Sequence, residues 1–522
     1  MKNLKPKSST GHDNLSMKLL KGITSIHEPL ALIINQSLTT GIFPQKLKIA
    51  KVIPIYKKDD NTLLDNYRPI SFLPAISKIF EKVVYTQLYD YFTTKSLFYT
   101  SQHGFKKLHS TETAALEFVD RIIKFLDTGK LPISIFIDLS KAFDTLDHQI
   151  LIEKLAYYGI TGITLNWFRS YLTNRTQYVQ VDDVCSQHLH ITTGVPQGSI
   201  LGPLLFIIYT NDMHFASSKF DSILYADDTT LLNSLCSFTF PSGNNIHSQN
   251  ASHNINVELN KVYDWLAANK LSLNISKTKF MIFHFPQRKL DFDLTLKIDN
   301  TPISKTEEFD FLGLRIQENL KWDAHVSKIG NKLAKVNGIL KKITKFVPKS
   351  GLLHIYNSLF LSHLNYGILV WGFSYERISM LQKRAIRTIC NANYNAHTAP
   401  LFKQLNLLKI EDLIKLKALK FYYKYSHDEL PYYFKGIYQV TQPTHTYYFR
   451  TRVMPPLTIP NKTRSKDCIR YYIPSLLLIT PSCITDKIYS HSYHGFSSYI
   501  KKFYINEYQE FCTLPDCFVC NS

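Results

Sequence analysis

Ile133-Ser-Ile-Phe-Ile-Asp138 and Asp221-Ser-Ile-Leu-Tyr-Ala-Asp-Asp228 are the two stretches that decide the fold of this chain. Each is a short apolar run that favours a buried β-strand and ends in carboxylates. Thr229–Leu232 follows the second stretch at once, which predicts a hairpin with two aspartates at its tip. Carboxylates are rare at the ends of buried strands unless they are paired or bind a metal, so these acids are the first candidates for a functional site.

Asp138, Asp227 and Asp228 offer the oxygen ligands that suit Mg²⁺, an ion that keeps several waters and completes its shell with substrate phosphates. Two such ions, with Mn²⁺ able to substitute, would bind the attacking 3′-hydroxyl and the leaving pyrophosphate of an in-line displacement. The residues therefore predict two-metal nucleotidyl transfer. The alternative is an ordinary hairpin turn with Asx residues, which two adjacent acids alone do not exclude.

The composition favours a large globular protein with a polyanionic partner. A chain of 522 residues with 45% hydrophobic residues predicts about three to five domains. Its net charge of +20 and pI near 9.3 favour nucleic acid as a partner, although a basic soluble protein without such a partner is the alternative.

Targeting segments are not evident. Met1–Gly22 lacks the apolar core of a secretory signal, and the apolar runs Leu201–Tyr209 and Ile473–Thr480 are shorter than the roughly 20 residues that span a bilayer. The eight cysteines do not suggest a disulfide framework. We expect an intracellular chain that has no membrane segment.

Helical spacing of apolar residues predicts helices over Ile76–Phe92 and Thr111–Leu126, and again from Ile255. Lys51–Lys58 predicts a short strand that ends in a basic turn, and Ser234–His253, rich in Ser, Asn, Gly and Pro, predicts a surface loop.

A lysine-rich helix is predicted after residue 320. Residues 321–350 contain eight lysines and one acid, Asp323, beside an apolar stripe at helical spacing. The alternative is an ordinary solvated face, but the lack of an acidic counter-stripe makes it a candidate for gripping a phosphate backbone. The candidate contacts are Lys328, Lys332, Lys335 and Lys342.

Seven motifs occur in one order between residues 5 and 387. They are Asn66-Tyr-Arg-Pro-Ile-Ser71, Gln102-His-Gly-Phe105, Phe136-Ile-Asp-Leu-Ser-Lys-Ala-Phe-Asp144, Pro196-Gln-Gly-Ser-Ile-Leu-Gly-Pro203, Tyr225-Ala-Asp-Asp228, Asn274-Ile-Ser-Lys-Thr-Lys279 and Phe311-Leu-Gly313. The first two resemble the finger motifs of non-LTR reverse transcriptases, and the others resemble motifs A to E of reverse transcriptases. The chain is thus similar to the polymerase of LINE-type non-LTR retrotransposons.

Three further segments resemble the jockey and related animal clades in particular. They are Arg68-Pro-Ile-Ser71, Asp144-Thr-Leu-Asp-His148 and the pair Tyr366-Gly and Trp371-Gly. The resemblance continues through Gln382–Arg387.

This resemblance implies an α+β fold, the polymerase right hand with fingers, an antiparallel-sheet palm and a helical thumb. We expect an N-terminal extension and fingers over 1–130, a palm with part of the fingers over 131–318 and a thumb over 319–390. Residues 391–522 are a C-terminal region whose fold the sequence does not indicate.

The resemblance also implies catalytic roles. Asp138 and Asp227 are the principal metal ligands, with Asp228 as the second acid of the pair. Phe143 matches the aromatic gate that excludes a 2′-hydroxyl, which favours dNTPs over the substrates of an RNA-dependent RNA polymerase; a plain core aromatic is the alternative. Lys277 is the general acid for pyrophosphate, with Lys279 as a rival.

Further residues are implied to bind substrates. Arg68 and Lys57 bind the triphosphate, although Lys57 is also explained as surface charge. Gln197 and Gly198 shape the floor beneath the templating pair, where glycine permits close backbone approach. The remaining nucleic-acid contacts, beside the four lysines, are Phe311 and Gly313 of motif E.

The expected partners are an RNA template, a DNA primer or target, and dNTPs, while the oligomeric state stays open. Family habit implies nucleus and cytoplasm. The chain has no room for an endonuclease ahead of the fingers and no recognisable ribonuclease H after Leu401, so we expect a truncated copy or a missing upstream exon. The alternative function is a relic of a retroelement that binds nucleic acid without catalysis.

Two other residue sets are expected to be structural. Cys512, Cys517 and Cys520 lack a fourth ligand at zinc-knuckle spacing, although Cys468 or Cys483 could complete a site through tertiary contact. Zinc is therefore not expected, and free thiols are. His103 and His148 are interpreted as polar-contact histidines.

Overall fold

The computed structural model describes residues 4–57, 59–235, 245–288, 290, 292–438, 460–461 and 463–509. Lys58 of the expected basic turn and the C-terminal cysteines 512, 517 and 520 lie outside the described residues.

The N-terminal part pairs two strands with four helices. Helix α4 begins at a capping box in which Ser110 and Thr113 satisfy each other's backbone and side-chain groups. The elements are α1 (Met17–Gly22), α2 (His27–Thr40), β1 (Ile49–Tyr56), β2 (Tyr67–Phe72), α3 (Ala75–Thr94) and α4 (Thr111–Asp127).

The central part, from residue 131, carries the main sheet. Its elements are β3 (Leu131–Ile137), α5 (His148–Tyr157), α6 (Gly162–Leu172), β4 (Arg175–Val181), β5 (Val184–Cys185), β6 (Leu189–Ile191), α7 (Gly202–Tyr209), β7 (Asp221–Tyr225), β8 (Asp228–Leu235), α8 (Asn245–Ala268), β9 (Lys279–Ile282), β10 (Lys297–Ile298), β11 (Thr301–Pro302), β12 (Ser304–Lys305), β13 (Glu308–Phe311) and β14 (Leu314–Gln317).

The main sheet has the strand order β12-β9-β3-β8-β7, with β3 at its centre. Every residue of β3 is buried, because both faces of the sheet are covered. Ile133, Ile135 and Ile137 pack in the core with α5, α6 and α7, whereas Phe136 packs on the opposite face with α4. The two-residue period of the strand thus separates two cores.

A second sheet joins the N-terminal and central parts. It has the order β2-β1-β4-β5, with β6 also paired to β4. Strand β1 pairs antiparallel with β2 and parallel with β4. Residues that precede and residues that follow the Phe136–Asp144 motif therefore share one sheet.

The region after residue 319 is helical, and the helices pack on the open side of β13 and β14. In α9 the buried Val326, Ile329, Leu333, Val336 and Leu340 follow the predicted apolar stripe. The helices are α9 (Asp323–Ile343), α10 (Lys349–Ile355), a π-helical segment (Tyr356–Leu361), α11 (Ser362–Asn365), α12 (Ile368–Trp371) and α13 (Glu376–Cys390).

The C-terminal region is also helical in its described parts and packs against α4 on the back of the sheet. Its helices are α14 (Thr398–Gln404), α15 (Ile410–Ser426), α16 (Ile469–Ile479), α17 (Ser482–Thr485), α18 (Lys487–Ser490) and α19 (Tyr493–Asn506). Its side chains share one apolar core with α4 and with the helices that follow residue 319.

Asp120 of α4 is the polar anchor of this contact. The buried carboxylate accepts hydrogen bonds from Arg470 at 2.5 and 3.1 Å, from the Tyr433 hydroxyl at 2.7 Å and from the Cys468 thiol at 3.1 Å. Buried carboxylates need such partners, because removing a charge from water costs several kcal/mol.

The α+β class, the antiparallel sheet and the strands around the aspartates are confirmed, and one sequence prediction needs correction. The main sheet is antiparallel except that β12 runs parallel to β9. The loop prediction for Ser234–His253 was wrong at both ends, since β8 continues to Leu235 and α8 begins at Asn245; residues 236–244 lie outside the described residues. The buried Ala251 extends the apolar period of Ile255 backwards within α8.

Within the described residues, no helix is both long enough and apolar enough to cross a bilayer. The four cysteines in the described part of the chain, Cys185, Cys390, Cys468 and Cys483, are free thiols.

Replacing Arg470 by alanine is expected to loosen the C-terminal region. Asp120, 1% exposed, would lose its cation, and breaking a buried pair from one side costs about 3–5 kcal/mol. Chemical denaturation, followed by limited proteolysis of the C-terminal region, measures the effect. Lys466→Ala, at an exposed neighbouring lysine, is the control and should change stability by no more than about 0.5 kcal/mol. Equal stability of the two variants would contradict the anchor.

Candidate active site

The three aspartates of the predicted site meet at one end of the main sheet. Ile137, the last residue of β3, pairs with Thr229 of β8, and Phe136 pairs with Thr230. If the same register is continued by one residue, Asp138 lies opposite Asp228 on the same face of the sheet. Side chains that are directly opposed in this way have Cβ atoms about 4.5–5.5 Å apart.

Asp227 lies in the two-residue turn between β7 and β8. The turn is closed by the pair Tyr225 and Asp228, and Ala226 takes a left-handed φ of +58°. This conformation costs a residue with a Cβ roughly 1–2 kcal/mol, so the turn needs support from its surroundings.

The segment that precedes α4 supplies this support. The Gln102 side-chain oxygen accepts the backbone N–H groups of Ala226, at 3.2 Å, and of Gly104, at 2.8 Å. The His103 N–H donates to the Leu224 carbonyl at 2.7 Å. A Cβ on Gly104 would lie 2.3 Å from the Ala226 nitrogen, so only glycine allows this approach.

The carboxylates repel one another. Burial, followed by the charges of Asp227 and Asp138, raises the pKa of Asp228 to about 6. Burial and the charge of Asp138 also raise the pKa of Asp227, against the lowering effect of Arg68 and Lys57. The site therefore holds an excess of negative charge that a cation would relieve.

Cationic side chains surround this cluster. Lys277, in the segment that leads to β9, places its ammonium 4.0 Å from the Asp138 carboxylate. Arg68 and Lys57 are exposed at the facing ends of β2 and β1 and act on Asp227 through their charges. Of the two candidate lysines of motif D, the structure brings Lys277 beside the carboxylates; Lys279 lies within β9.

Phe143 lies on the loop after β3 and stacks on Phe206 of α7, with ring centroids 4.4 Å apart. Phe105 contacts its edge at 6.3 Å. The ring is half-buried, so it is fixed in position by its neighbours and still keeps an open face.

Gln197 and Gly198 join the second sheet to this loop. The side-chain amide of Gln197 donates to both carboxylate oxygens of Asp144 at 2.9 Å. The backbone carbonyl of Gln197 accepts the Ser71 N–H at 2.8 Å. Gly198 has a φ of +137°, and a Cβ there would lie 2.4 Å from the Ser71 oxygen.

Two buried glutamates in the site's support escaped the sequence analysis. Glu81 of α3 accepts the Ile200 N–H at 2.5 Å and so holds the start of α7. Glu117 of α4 binds His103 at 2.8 Å and Arg121 at 2.7 Å. Glutamates at apolar-stripe positions of predicted helices are the one sequence signal that could have indicated them.

The two histidines of the sequence analysis make buried or half-buried polar contacts. His103 lies between Glu117 and Thr113, and His148 contacts the Gly194 carbonyl at 2.8 Å. Burial lowers the pKa of His148, which favours its neutral form.

Motif E forms the turn between β13 and β14. Gly313 is exposed there with a φ of +84°, and the Tyr366 hydroxyl donates to the Leu312 carbonyl. Phe311 requires a correction: its side chain is only 4% exposed and packs on Phe118 at 4.6 Å. It supports the turn from the core, because its place in the strand points it away from solvent.

The lysines of α9 divide into two groups. Lys332, Lys335 and Lys342 are exposed, as the predicted basic face requires. Lys328 instead forms an ion pair of 2.6 Å with Asp310 of β13, an acid that the search for a counter-stripe along the helix could not detect.

Among the residues that the structure describes, no three His, Cys, Asp or Glu side chains meet closely enough to form a ready-made metal site. Cys468 donates its thiol to Asp120, and Cys483 lies apart from it on α17.

Three aspartates at the end of a buried sheet provide the hard oxygen donors that suit a divalent cation. Residues 55–316, about half of the chain, match the sequence model of the family described as reverse transcriptase (RNA-dependent DNA polymerase). The chain belongs to this family, and the resemblance seen in its motifs is confirmed.

The curated relatives are retrotransposon proteins of insects. The chain is 28% identical to the probable RNA-directed DNA polymerase from transposon BS of Drosophila melanogaster, over 79% of this chain and 46% of the relative. It is 26% identical to the RNA-directed DNA polymerase from mobile element jockey of the same species, over 78% of this chain and 44% of the relative. The chain thus spans about half the length of the curated relatives it matches.

Among solved structures, a telomerase from Candida albicans in complex with a fragment of telomeric RNA is similar at a TM-score of 0.35 and 15% identity. The match covers 72% of this chain and 65% of that one.

Gly104→Ala is expected to disturb the turn that carries Asp227. The added Cβ would overlap the Ala226 backbone, and overpacking of this kind costs about 1–3 kcal/mol. Hydrogen exchange of the amides in residues 224–229 should accelerate by about tenfold or more. Gly338→Ala in α9, where a Cβ meets nothing within 4 Å, is the control and should leave that exchange unchanged. Unchanged exchange in both variants would mean that the 102–104 segment does not hold the turn.

Proposed function

We propose that this chain is the RNA-directed DNA polymerase of a non-LTR retrotransposon. It extends a DNA 3′-hydroxyl with dNTPs on an RNA template. The observation that carries the proposal is that Asp138, Asp227 and Asp228 lie at one end of the main sheet and act on one another through their charges, inside the segment that matches the reverse transcriptase family.

Asp138, Asp227 and Asp228 are the residues that hold two Mg²⁺ ions, for which Mn²⁺ substitutes. Three carboxylates provide the hard oxygen donors that this ion prefers, and their mutual repulsion is relieved when cations bind. When bound, such ions stabilise the negative charge that develops on the attacking and leaving oxygens. A role for zinc is not part of the proposal.

Arg68 and Lys57 bind the triphosphate of the incoming nucleotide. Both are exposed on the strands that face the carboxylates, and both already act on Asp227 through their charge. Arg68 can offer two parallel N–H groups to a phosphate, and Lys57 a point charge. Lys277, 4.0 Å from Asp138, donates a proton to the departing pyrophosphate.

Phe143 selects the sugar of the nucleotide. Because Phe143 stacks on Phe206, its ring cannot move away from the sugar, and a 2′-hydroxyl would clash with it. Gln197 and Gly198 form the floor under the base pair, where the close approach of Ser71 leaves no room for a larger residue at position 198.

The template and primer lie along the exposed lysines of α9 and the turn at Gly313. Lys332, Lys335 and Lys342 contact the backbone phosphates, so binding depends on salt more than on sequence. Lys328 contributes through its pair with Asp310, and Phe311 through the core beneath the turn. Family habit implies that the chain acts in the nucleus and cytoplasm of its host.

The division of the chain into fingers (1–130), palm (131–318), thumb (319–390) and C-terminal region (391–522) stays part of the proposal. The shared strand pairing of β1 and β4 supports a finger unit that takes residues from both of the first two segments.

Primer extension on a poly(A)–oligo(dT) template with Mg²⁺ or Mn²⁺ tests the function. The parent chain should extend the primer, and Asp227→Ala/Asp228→Ala should lose activity by at least about 10³-fold, since metal and charge stabilisation supply much of the catalysis. Asp182→Ala/Asp183→Ala, at an exposed adjacent pair of aspartates, is the matched control and should keep full activity.

The same experiment separates the alternative function. A folded parent chain that binds the hybrid but extends no primer with either metal would identify a relic that binds nucleic acid without catalysis. Binding of the hybrid by the Asp227→Ala/Asp228→Ala variant should be measured in parallel with extension. A relic would bind the hybrid equally well with and without the two aspartates.

Phe143→Val is expected to relax sugar selection. With the ring removed, incorporation of a ribonucleotide relative to its deoxyribonucleotide should rise by about tenfold or more, which single-nucleotide extension measures. Phe215→Val, at a phenylalanine that is 79% exposed, should leave the ratio as it is. If the ratio is equally low in the Phe143 variant, the ring is a core aromatic and not the gate.

A further inference from the structure

Helix α15, in the C-terminal region, presents three lysines to a small cavity. Lys417, Lys420 and Lys424 follow one another at helical spacing, are all half-buried, and line a cavity of about 120 Å³. The opposite wall is formed by the start of α4, at Ser110 and Glu112, and by the backbone of Gly367. Neither the family match, which ends at residue 316, nor the motifs assign a role to this cluster.

The three ammonium groups are held together without matching acids. Within the described residues, none of the three has a carboxylate within the 4.0 Å of an ion pair. Lys420 and Lys424 instead lie over the same ring, that of Tyr493, at 4.8 and 5.3 Å from its centroid. A ring face attracts cations but does not neutralise them, so the positive charge remains available.

The acids that face the cluster leave a net positive site. Glu112 acts on Lys417 from α4, and one of its oxygens is already occupied by the Gly367 N–H at 2.8 Å. Glu429 does not line the cavity and acts on Tyr493 through its charge. Burial, followed by the charges of Lys417 and Lys424, lowers the pKa of Lys420, which is the sign of cations crowded beyond what their surroundings compensate.

Two walls of the cavity connect through neighbouring residues to the motif E turn and to the turn that carries Asp227. Gly367 follows Tyr366, whose hydroxyl binds the Leu312 carbonyl in the turn of motif E. On the other side, Thr113 contacts His103, whose backbone holds the strand that leads to the catalytic turn. Gly367 in the cavity wall is thus one residue from the contact with the motif E turn, and Thr113 in the wall contacts the segment that supports the turn at Asp227.

The size of the cavity restricts its ligand. At about 120 Å³ it is well below the roughly 300–1,000 Å³ of pockets that enclose a whole small molecule. It has room for about four waters at ~30 Å³ each, which suits a single phosphate group presented by a larger molecule outside.

We propose that Lys417, Lys420 and Lys424 form a phosphate-binding site that grips the backbone of the nucleic acid next to the motif E turn. The site rests on the proposed function in that its ligand is the primer or template of the polymerase. It gives the C-terminal region a part in holding the substrate, beyond packing on the back of the palm.

Binding of an RNA–DNA hybrid, measured at several salt concentrations in EDTA so that no extension occurs, tests the site. Lys417→Gln/Lys420→Gln/Lys424→Gln should weaken binding by roughly tenfold or more near 0.15 M salt and reduce the slope of log K against log salt by about 1, the value for one lost phosphate contact. Lys219→Gln/Lys297→Gln/Lys305→Gln removes the same charge from exposed positions on other elements and should leave the slope nearly unchanged. An equal slope in the two triple variants would overturn the proposal.

Three further measurements test whether the site acts through its charge and whether its ligand is a backbone phosphate. The triple Lys→Arg variant keeps the charge and should keep the affinity; a loss as large as that of the glutamine variant would overturn a charge-based site. Primers in which single phosphates are replaced by neutral methylphosphonates should bind the parent chain more weakly at one or two positions and show no such effect with the glutamine variant. Competition by inorganic phosphate at constant ionic strength should be weak, and strong competition would indicate a free anion as the ligand instead.

Failure of this site is distinguishable from failure of the polymerase. The binding arms need no catalysis, and thermal melting of each variant shows that it is folded. Primer extension by the parent chain with equal salt slopes would remove the site and leave the proposed function. A reduced slope in a chain that extends no primer would do the reverse.

Discussion

The repulsion among Asp138, Asp227 and Asp228 is the constraint on which the rest of the structure depends. Two unit charges ~5 Å apart repel by roughly 3 kcal/mol at an effective dielectric constant of ~20. A flexible chain would separate them, so the strands that carry them must be held by other forces. Strand β3 is buried on both faces, and its pairing with β8 leaves no freedom to move one aspartate away from the other. The strained turn at Ala226 is tied down by Gln102 for the same reason.

Helix α4 connects this site to the rest of the molecule. Glu117 and Arg121 on one side of the helix hold His103, Ser101 and Asp221, and thus both chain segments that support the catalytic turn. Asp120, one residue before Arg121, receives the C-terminal region through Arg470. The Arg121 guanidinium also lies over the ring of Tyr433, 4.8 Å from its centroid. Packing of the C-terminal region and geometry of the active site therefore share one helix.

The charges of the chain are sorted in space by their task. Asp138, Asp227 and Asp228 form an acidic cluster at the end of the main sheet. Lys277, Lys57 and Arg68 are near enough to act on these carboxylates through their charges. On α9 the lysines stand in solvent, where binding is weak for each contact and sensitive to salt. On α15 they are half-buried around a cavity, where a charge interacts more strongly with a ligand because water is partly excluded. The net charge of +20 is the excess of 61 basic over 41 acidic residues along the whole chain, and these clusters are a part of it.

The sequence by itself determined the strands that carry the aspartates and the helices with a clear apolar stripe, because these depend on local periods of two and 3.6 residues. It also determined the order of the motifs. It could not indicate which side chains meet across the fold. The bond from Glu81 to Ile200 spans 119 residues, and that from Arg470 to Asp120 spans 350. The inward turn of Phe311 and the pairing of Lys328 with Asp310 likewise follow from packing between separate elements. Only the tertiary structure decided them, since contacts between distant segments leave no period in the local sequence.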